Sequence, residues 1–324
     1  MAAPILVLVE GLKNVIPDIT FEMLGVARRI GDATQAPVLA MALGPSAADA
    51  APQLGAADKV LVAEDANLEI PTPDAAAAIA RVVEQTQATL VLVGGTNTWI
   101  GLGPILALSL KMPFVNVCKS LAVQDGKLAL TCQLFGGKIL VDVHPPGGRA
   151  VVSINPGAFP ADAGRASRVP AVERVAAPVA APKVAFKRFV EPESADVDIT
   201  RQEVLVAVGR GIQIQDNVAL AEELAQALGG AVCASRPVID QGWLPLSRQV
   251  GKSGLTVKPR LYLALGISGA PEHCEGMRAA QTIVAINTDP NAPIFESAHY
   301  GAVADAIELT PLLTEKIKAR KSQS

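Results

Sequence analysis

The chain has 324 residues, of which 50% are hydrophobic, 18% are charged and only 3% are aromatic, and its formal net charge is −3. This length and composition predict two packed domains rather than one. The low charge and few aromatic side chains argue against a nucleic-acid partner, and because no apolar run approaches the roughly 20 residues of a membrane helix, we expect no membrane insertion.

The start of the chain and its cysteines predict a cytoplasmic protein. The first residues, MAAPILVLVEG, enter an apolar run without a preceding basic region, so we expect no secretory signal. The cysteines are widely spaced and form no CxxC pair, which favours reduced structural thiols and argues against a metal site. They are Cys118, Cys132, Cys233 and Cys274.

Residues 1–160 are predicted to form a three-layer α/β domain, because predicted strands alternate with helices. The predicted strands are Pro4–Val9, Val38–Leu43, Lys59–Ala63 and Thr89–Val93, and the helices are Asp18–Gly31, one beginning after Gly44, Pro73–Gln87 and Leu102–Leu110. Beyond Met112 the pattern changes to short runs separated by turns, which predicts antiparallel strands added to the same sheet. These runs are Ser120–Val123, Lys127–Cys132, Lys138–Val143 and Ala150–Ile154.

Residues 161–200 are rich in Ala, Pro and Val and are predicted to be an extended inter-domain segment, in which Val184–Val190 could form one strand. Residues 201–324 are predicted to form a second doubly wound α/β domain. Its predicted strands are Val204–Val208, Ala231–Ala234, Leu261–Leu265, Thr282–Ile286 and Val303–Leu309. Its first helix follows a cap at Asp216 or Asn217, the next begins at Pro271, and the last spans Leu312–Arg320.

Polar and glycine-rich loops follow the predicted strands of the second domain. Gly266, Ser268 and Gly269 come directly after the apolar run Leu261–Leu265, and Pro271 with Glu272 is typical of a helix start. Such a turn binds phosphate groups, because its free amides favour an anion. Since the carboxyl ends of parallel strands share one edge, the loops predict a dinucleotide site, although no GxGxxG motif is present.

Five blocks of this domain resemble, in the same order, the alpha subunit of electron transfer flavoproteins. They are GRG at Gly209–Gly211, ASRP at Ala234–Pro237, GWLP with SRQVGKSG at Gly242–Gly254, LYLALGISGAPEH at Leu261–His273 and VAINTDPNAPIFESAHYGAVAD at Val284–Asp305. The first 155 residues resemble the family more weakly and end in NPGAF at Asn155–Phe159.

The resemblance implies a Rossmann-like, deoxyhypusine synthase-like domain that holds non-covalent FAD, and a heterodimer with a beta subunit. It implies one-electron transfer from flavin dehydrogenases, the acyl-CoA dehydrogenase type among them, to a quinone-linked or other acceptor, without substrate chemistry. The positions that match FAD contacts are Arg210, Ser235, Arg236, Val250, Gly251, Lys252, Ser253, Ser268, Gly269, Ala270, Pro271, Glu272, His273, Asn287, Asp305 and Ala306.

Three of these positions carry implied roles at the flavin ring. Arg236 matches the arginine beside the isoalloxazine, Ser253 matches a hydroxyl near N5, and His273 matches a group near the O2 edge. Arg236 and His273 are expected to place positive charge and hydrogen-bond donors where a reduced or semiquinone flavin accumulates negative charge. Lys252 and Ser253 depart from the Gln and Thr common in the family, and Asn155 stands where an arginine is common.

Three other readings stay open at this point. The chain could belong to a bifurcating electron transfer flavoprotein whose second flavin lies largely in the beta subunit. It could be a stand-alone NAD-dependent enzyme on a related fold, although no catalytic base is evident, or a non-redox module that retains an adenine nucleotide. Gly94-Gly95-Thr96-Asn97 in the first domain could bind a nucleotide, but a plain strand-to-helix turn is favoured because no phosphate motif follows.

Overall fold

Strands and helices alternate along most of the chain in the computed structural model, which describes residues 3–11, 15–70, 72–179, 183–184, 186–188 and 196–322. Contacts divide the chain into two units, residues 1–189 and 190–324. The division falls inside the predicted inter-domain segment. Both units have the predicted α/β architecture, with parallel strands and packed helices.

The first unit contains a nine-stranded sheet in the order β7-β6-β5-β8-β4-β1-β2-β3-β9. Apolar side chains on both faces bury its central strands, as expected for a parallel sheet covered by helices. The strands are β1 Ile5–Leu8, β2 Val38–Leu43, β3 Lys59–Ala63, β4 Leu90–Gly94, β5 Phe114–Gln124, β6 Lys127–Leu134, β7 Ile139–Val143, β8 Ala150–Ile154 and β9 Ala171–Arg174, and the helices are α1 Asp18–Thr34, α2 Ala47–Ala50, α3 Ala76–Thr86 and α4 Leu102–Ser109.

The predicted antiparallel extension is confirmed for three of its four strands and wrong for the last. β6 pairs antiparallel with both β5 and β7. β8, however, lies parallel between β4 and β5 inside the sheet. All five residues of β8 are buried, and such a strand is suited to an interior position rather than to an edge.

The segment after residue 160 is more ordered than its composition predicts. β9 adds to the sheet edge parallel to β3, and Ala177 and Val179 are buried in the core of this unit. The predicted strand Val184–Val190 lies partly outside the described residues. The predicted end of α1 at Gly31 is also wrong, because the helix continues to Thr34 and Gln35 takes the left-handed cap conformation.

The second unit is a five-stranded, wholly parallel sheet in the order β11-β10-β12-β13-β14. Its strands are β10 Val204–Val208, β11 Ala231–Ala234, β12 Leu261–Leu265, β13 Thr282–Asn287 and β14 Tyr300–Val303, and its helices are α5 Val218–Leu228, α6 Arg236–Asp240, α7 Pro271–Met277 and α8 Ala306–Lys321.

The last predicted strand, Val303–Leu309, is wrong. β14 ends at Val303, and the Asp305 carboxylate accepts a hydrogen bond of 2.7 Å from the Ile307 amide, which starts α8 at Ala306. An aspartate at this position satisfies an otherwise free helix amide. Thr310 and Thr314 follow on the buried face of the helix and donate to carbonyls one turn earlier.

Candidate functional site

The carboxyl ends of the second sheet meet at one edge, because all five strands are parallel. The chain leaves β10 for β11 on one side and returns to β12 on the other, so the topological switch point lies between β10 and β12. Two loops are joined there by hydrogen bonds from Gly209 N to Leu265 O (2.9 Å) and from Gly211 N to Gly266 O (3.0 Å). Open α/β sheets bind ligands at such a crevice.

The turn after β12 carries amides that no described residue satisfies. The amides of Ser268, Gly269 and Ala270 have no hydrogen-bond acceptor among the described residues, and Ser268 and Ala270 are exposed. Gly269 has a φ of +90°, and a Cβ there would lie 2.1 Å from the Ile294 amide nitrogen. Only glycine fits this turn. Its amide donors suit an anionic ligand.

The loop at residues 250–254 is fixed by its own backbone. Val250 N donates to Ala234 O (2.9 Å), and Lys252 N donates to Glu272 O (2.7 Å). Gly251 has a φ of +135°, and a Cβ there would lie 2.8 Å from Glu272 O. The side-chain Nε2 of the buried Gln249 donates to Ser253 Oγ at 2.9 Å. The exposed Ser253 hydroxyl therefore keeps its own hydrogen to donate.

His273 does not have the surroundings of a positively charged group. Only 6% of the residue is exposed. Its Nδ1 lies 3.1 Å from the Val250 carbonyl and its Nε2 lies 2.9 Å from the Tyr262 hydroxyl. Burial lowers the pKa of His273 to about 4, and the hydrogen bond to Val250 offsets this only in part. The prediction that His273 carries positive charge is therefore wrong, because its side chain is neutral near pH 7.

Positive charge at this edge comes instead from exposed side chains. Arg236 begins α6 with 68% of its side chain exposed, and its Nε lies 3.3 Å from the Asp240 carboxylate one turn later. Such an exposed pair is weak, so the guanidinium keeps donors for a ligand. Arg210 and Lys252 are exposed in loops at the same edge. The edge therefore carries exposed cations beside its open amides.

Several of the predicted contact residues already hold the fold together. Asn287 Nδ2 donates to Ile267 O at 2.8 Å, and its Oδ1 accepts from Asp289 N at 2.9 Å. Asp305 caps α8, and Ala306, its first residue, is buried. Ser235 is buried at the end of β11, where its amide donates to Val208 O. These side chains shape the edge whether or not a ligand touches them.

A partly buried ion pair beside this loop was missed by sequence reasoning. Arg248 approaches Asp196 with Nη2 to Oδ1 at 2.6 Å, and its Nη1 donates to Val232 O at 3.1 Å. The hydrogen bonds from Arg248 lower the pKa of Asp196 to about 2, although desolvation opposes them. The two residues are 52 positions apart, so no local pattern could have paired them. Together they fix the entry into the 250–254 loop.

Tyr262 was also missed, because its position reads only as part of an apolar strand. The residue is completely buried in the core of the second unit. Its hydroxyl reaches His273, and Cys233 Sγ lies 4.0 Å from the same oxygen. A tyrosine inside a run of aliphatic residues was the available signal, since a buried hydroxyl needs a partner.

The first unit has a carboxyl edge of a different kind. Glu10 follows β1 and is buried, and the Thr96 hydroxyl donates to its carboxylate oxygens at 2.8 and 3.0 Å. Burial raises the pKa of Glu10 to about 7 against the lowering effect of this bond. The Gly95 amide donates to Ile154 O. The Gly94–Asn97 turn is thus partly filled by the protein's own groups, which supports its interpretation as a structural turn.

The donor set of the second unit suits a flavin dinucleotide: unsatisfied amides for pyrophosphate, a free hydroxyl and exposed cations. Residues 198–278 match the family model described as electron transfer flavoprotein FAD-binding domain, and residues 5–180 match the electron transfer flavoprotein domain. The chain belongs to the electron transfer flavoprotein alpha-subunit family. It is therefore an FAD-binding electron carrier and not an enzyme that converts its own substrate.

Relatives in this family span nearly the whole chain. The electron transfer flavoprotein subunit alpha of Mycobacterium leprae is 36% identical, over 98% of this chain and 99% of its own length. The subunit alpha of Bacillus subtilis is 33% identical, over 98% of each. The acryloyl-CoA reductase electron transfer subunit beta of Anaerotignum propionicum is 33% identical, over 93% of this chain and 92% of its own length.

The family also implies pairing with a beta subunit, as the resemblance predicted. Among the described residues, no helix is both long and apolar enough to cross a membrane.

Proposed function

We propose that this electron transfer flavoprotein alpha subunit holds FAD at the carboxyl edge of its second sheet. The observation that carries the proposal is the convergence there of open amides at residues 268–270, the Ser253 hydroxyl and the exposed Arg236. When bound, FAD would supply one-electron chemistry, because a flavin can accept and release electrons one at a time.

Each group of residues has a separate task in this proposal. The amides of the 268–270 turn bind the pyrophosphate, because they are donors that lack protein acceptors. The Ser253 hydroxyl donates to the edge of the flavin ring. Its hydrogen is available because the Gln249 side chain already donates to the Ser253 oxygen. Arg236 stabilises negative charge on the ring and so raises its reduction potential. The full set of sixteen positions assigned from the resemblance is proposed as the binding site.

We propose flavin dehydrogenases as electron donors, acyl-CoA dehydrogenases among them, and a quinone-linked or other acceptor. The name of the Anaerotignum propionicum relative, an electron transfer subunit of acryloyl-CoA reductase, supports an acyl-CoA-linked partner. A cytoplasmic location is proposed as well. All four cysteines are free and buried, which is the state expected in a reducing compartment.

The test is a visible spectrum recorded during stepwise anaerobic reduction of the chain, co-expressed with its beta subunit. We expect one FAD per heterodimer, reduced in two resolved one-electron steps. Ser253→Ala should alter the spectrum and the separation of the two steps, whereas Ser167→Ala, which changes an exposed serine in the first unit, should not. Two FAD per heterodimer would indicate a bifurcating complex, and a heterodimer without flavin would refute the proposed site.

Donor identity needs a separate measurement. Reduced acyl-CoA dehydrogenase should pass electrons to the heterodimer at a rate that saturates with its concentration. A heterodimer that binds FAD but is reduced by no flavin dehydrogenase would refute the donor class and leave the binding site intact.

A further inference from the structure

A chain of buried polar groups lies beneath the proposed flavin loop. Cys233 Sγ is 4.0 Å from the Tyr262 hydroxyl, which is 2.9 Å from His273 Nε2, and His273 Nδ1 is 3.1 Å from the Val250 carbonyl. Cys233 and Tyr262 are completely buried, and His273 is nearly so. The members come from β11, β12, α7 and the 250–254 loop, so the chain joins four separate elements.

The partners decide which ring nitrogen carries the proton. A carbonyl oxygen can only accept, so His273 Nδ1 must donate to Val250. In the neutral ring Nε2 then has a lone pair, and the Tyr262 hydroxyl donates to it. The Tyr262 oxygen remains free to accept weakly from the Cys233 thiol. Every hydrogen in the chain has one consistent direction when His273 is neutral.

The surroundings of the ring also favour the neutral form. The titratable groups packed near it are Tyr262, Cys233 and Cys274, and burial raises the pKa of each of them, so all three stay protonated at neutral pH. The adjacent charged side chains, Glu272 and Lys252, are both exposed to solvent. Among the described residues, no carboxylate hydrogen-bonds to His273 and so none stabilises a proton on Nε2.

The same contacts hold the loop that carries Ser253. His273 binds the Val250 carbonyl, and the neighbouring Glu272 carbonyl accepts from the Lys252 amide at 2.7 Å. The loop is thus attached at two points to the first turn of α7. One attachment is a plain backbone bond, whereas the other depends on the tautomer and the orientation of an imidazole ring.

We propose that Tyr262 is a positioning residue for the flavin: its hydroxyl holds His273 as the neutral Nδ1–H tautomer, which fixes the Val250 carbonyl and the loop presenting Ser253. The inference rests on the proposed FAD site and deepens it. His273 then contributes position rather than positive charge, and Tyr262 acts through His273 without touching the cofactor.

The first test measures the wild-type heterodimer, and a variant serves only to assign its signals. The heterodimer with FAD is prepared with 15N-labelled histidine, and the imidazole nitrogens are followed by NMR from pH 5.5 to 8. The chain has three histidines, and loss of one signal set in His273→Asn assigns the ring. We expect a neutral Nδ1–H tautomer throughout this range. A His273 ring that gains a proton as the pH falls from 8 to 6 would overturn the inference.

The second test compares the two tyrosines of the chain. Tyr262→Phe removes only the buried hydroxyl, and we expect FAD to bind the heterodimer about tenfold more weakly, since a buried acceptor is left unsatisfied. Tyr300→Phe makes the same change at a residue that is 68% exposed, and FAD affinity should stay within about twofold. Equal FAD affinity of the Tyr262→Phe and wild-type heterodimers would overturn the inference.

A double-mutant cycle separates positioning from general loss of stability. In His273→Asn the shorter amide can still donate towards Val250, but no ring nitrogen is left for Tyr262. Adding Tyr262→Phe to His273→Asn should therefore change FAD affinity by less than about twofold. If the loss of FAD affinity in the double variant equals the product of the losses in the two single variants, the two residues act independently and the coupling is refuted. Because wild-type FAD binding is measured in the same series, failure of the FAD site itself is distinguished from failure of this inference.

Discussion

The two units of the chain build the same kind of edge and use it differently. Each has parallel strands whose carboxyl ends carry glycine-rich turns. In the first unit, Glu10 enters the edge and is bonded by Thr96, and the Gly95 amide is satisfied by Ile154. In the second unit, the turn at residues 268–270 leaves its amides without described acceptors. A parallel sheet therefore provides a place for a ligand, and the side chains at the strand ends decide whether the place is open.

The largest loss of stability and of FAD binding is expected where the turn at residues 268–270 depends on the backbone conformation of a glycine. Gly269→Ala puts a Cβ 2.1 Å from the Ile294 amide nitrogen at a φ of +90°. We expect the second unit to lose at least about 3 kcal/mol of unfolding free energy and the heterodimer to lose FAD. Denaturant unfolding and flavin content measure the two effects.

Gly229→Ala is the control for Gly269→Ala. Gly229 has a similar φ of +79°, but nothing lies within 4 Å of the added methyl group. Its cost should be about 1 kcal/mol. If both variants lose the same stability, the close contact at Ile294 does not matter and the edge is not shaped by it.

The stability of the first unit should depend on pH because Glu10 is buried at its carboxyl edge. The pKa of Glu10 is raised in the folded protein from 4.5 to about 7, so the carboxyl contributes stability fully below pH 4.5 and loses it as the pH rises through 7. Glu10→Gln is neutral at every pH, and at pH 8 we expect it to stabilise the first unit by roughly 3 kcal/mol. Unfolding curves at pH 5 and pH 8 would reveal the difference.

Fluorescence can assign this effect to the first unit. The chain has two tryptophans, Trp99 in the core of the first unit and Trp243 packed in the second. In a Trp243→Phe background, Trp99 reports on the first unit alone. Glu173→Gln, an exposed acid of the same unit, is the control and should change little. A pH profile that Glu10→Gln leaves unchanged would contradict the prediction.

The contribution of the partly buried Asp196–Arg248 ion pair to stability should show the opposite pH dependence. The pKa of Asp196 is lowered from 3.8 to about 2, so its contribution is present above pH 3.8 and disappears as the pH falls through 2. Asp196→Asn should cost the second unit about 2 kcal/mol at pH 7. Trp243 fluorescence in a Trp99→Phe background would follow this unit.

Glu203→Gln is the matched control for Asp196→Asn. Glu203 pairs with Arg260 at 3.3 Å, but both side chains are more than two-thirds exposed. Its loss should cost less than about 0.5 kcal/mol. Equal losses of stability from the two variants would indicate that the partial burial of the Asp196 pair adds nothing to its strength.

The smallest effect is expected from the exposed cation of the open edge. Arg236→Gln removes one solvent-exposed charge. We expect the flavin reduction potential to fall by roughly 40 mV, which corresponds to about 1 kcal/mol for one electron. Because solvent-exposed charges are screened, the shift should shrink at high salt. Arg278→Gln, an exposed arginine just beyond α7, is the control. A potential unchanged by Arg236→Gln at low salt would exclude Arg236 from the ring environment.

Local sequence patterns were sufficient for most of the architecture. Buried runs such as Leu261–Leu265 and Lys59–Ala63 were predicted with their exact bounds, since an apolar run between turns has few other structures available. The strand predicted at Val303–Leu309 was wrong, because apolar residues fit a helix as well as a strand and the cap at Asp305 decided between them. The motifs of residues 209–305 were sufficient for the family.

Contacts between residues far apart in the sequence could be identified only from the tertiary structure. The sequence alone determined two α/β units, the resemblance to the electron transfer flavoprotein alpha subunit and the polar loops that end the strands. Only the fold showed that β8 enters the sheet interior, that Asp196 meets Arg248, and that His273 is buried against Tyr262 and therefore neutral. The physical reason is that residue type fixes what a group can bond to, whereas charge state depends on burial and on partners that the chain brings together from far apart.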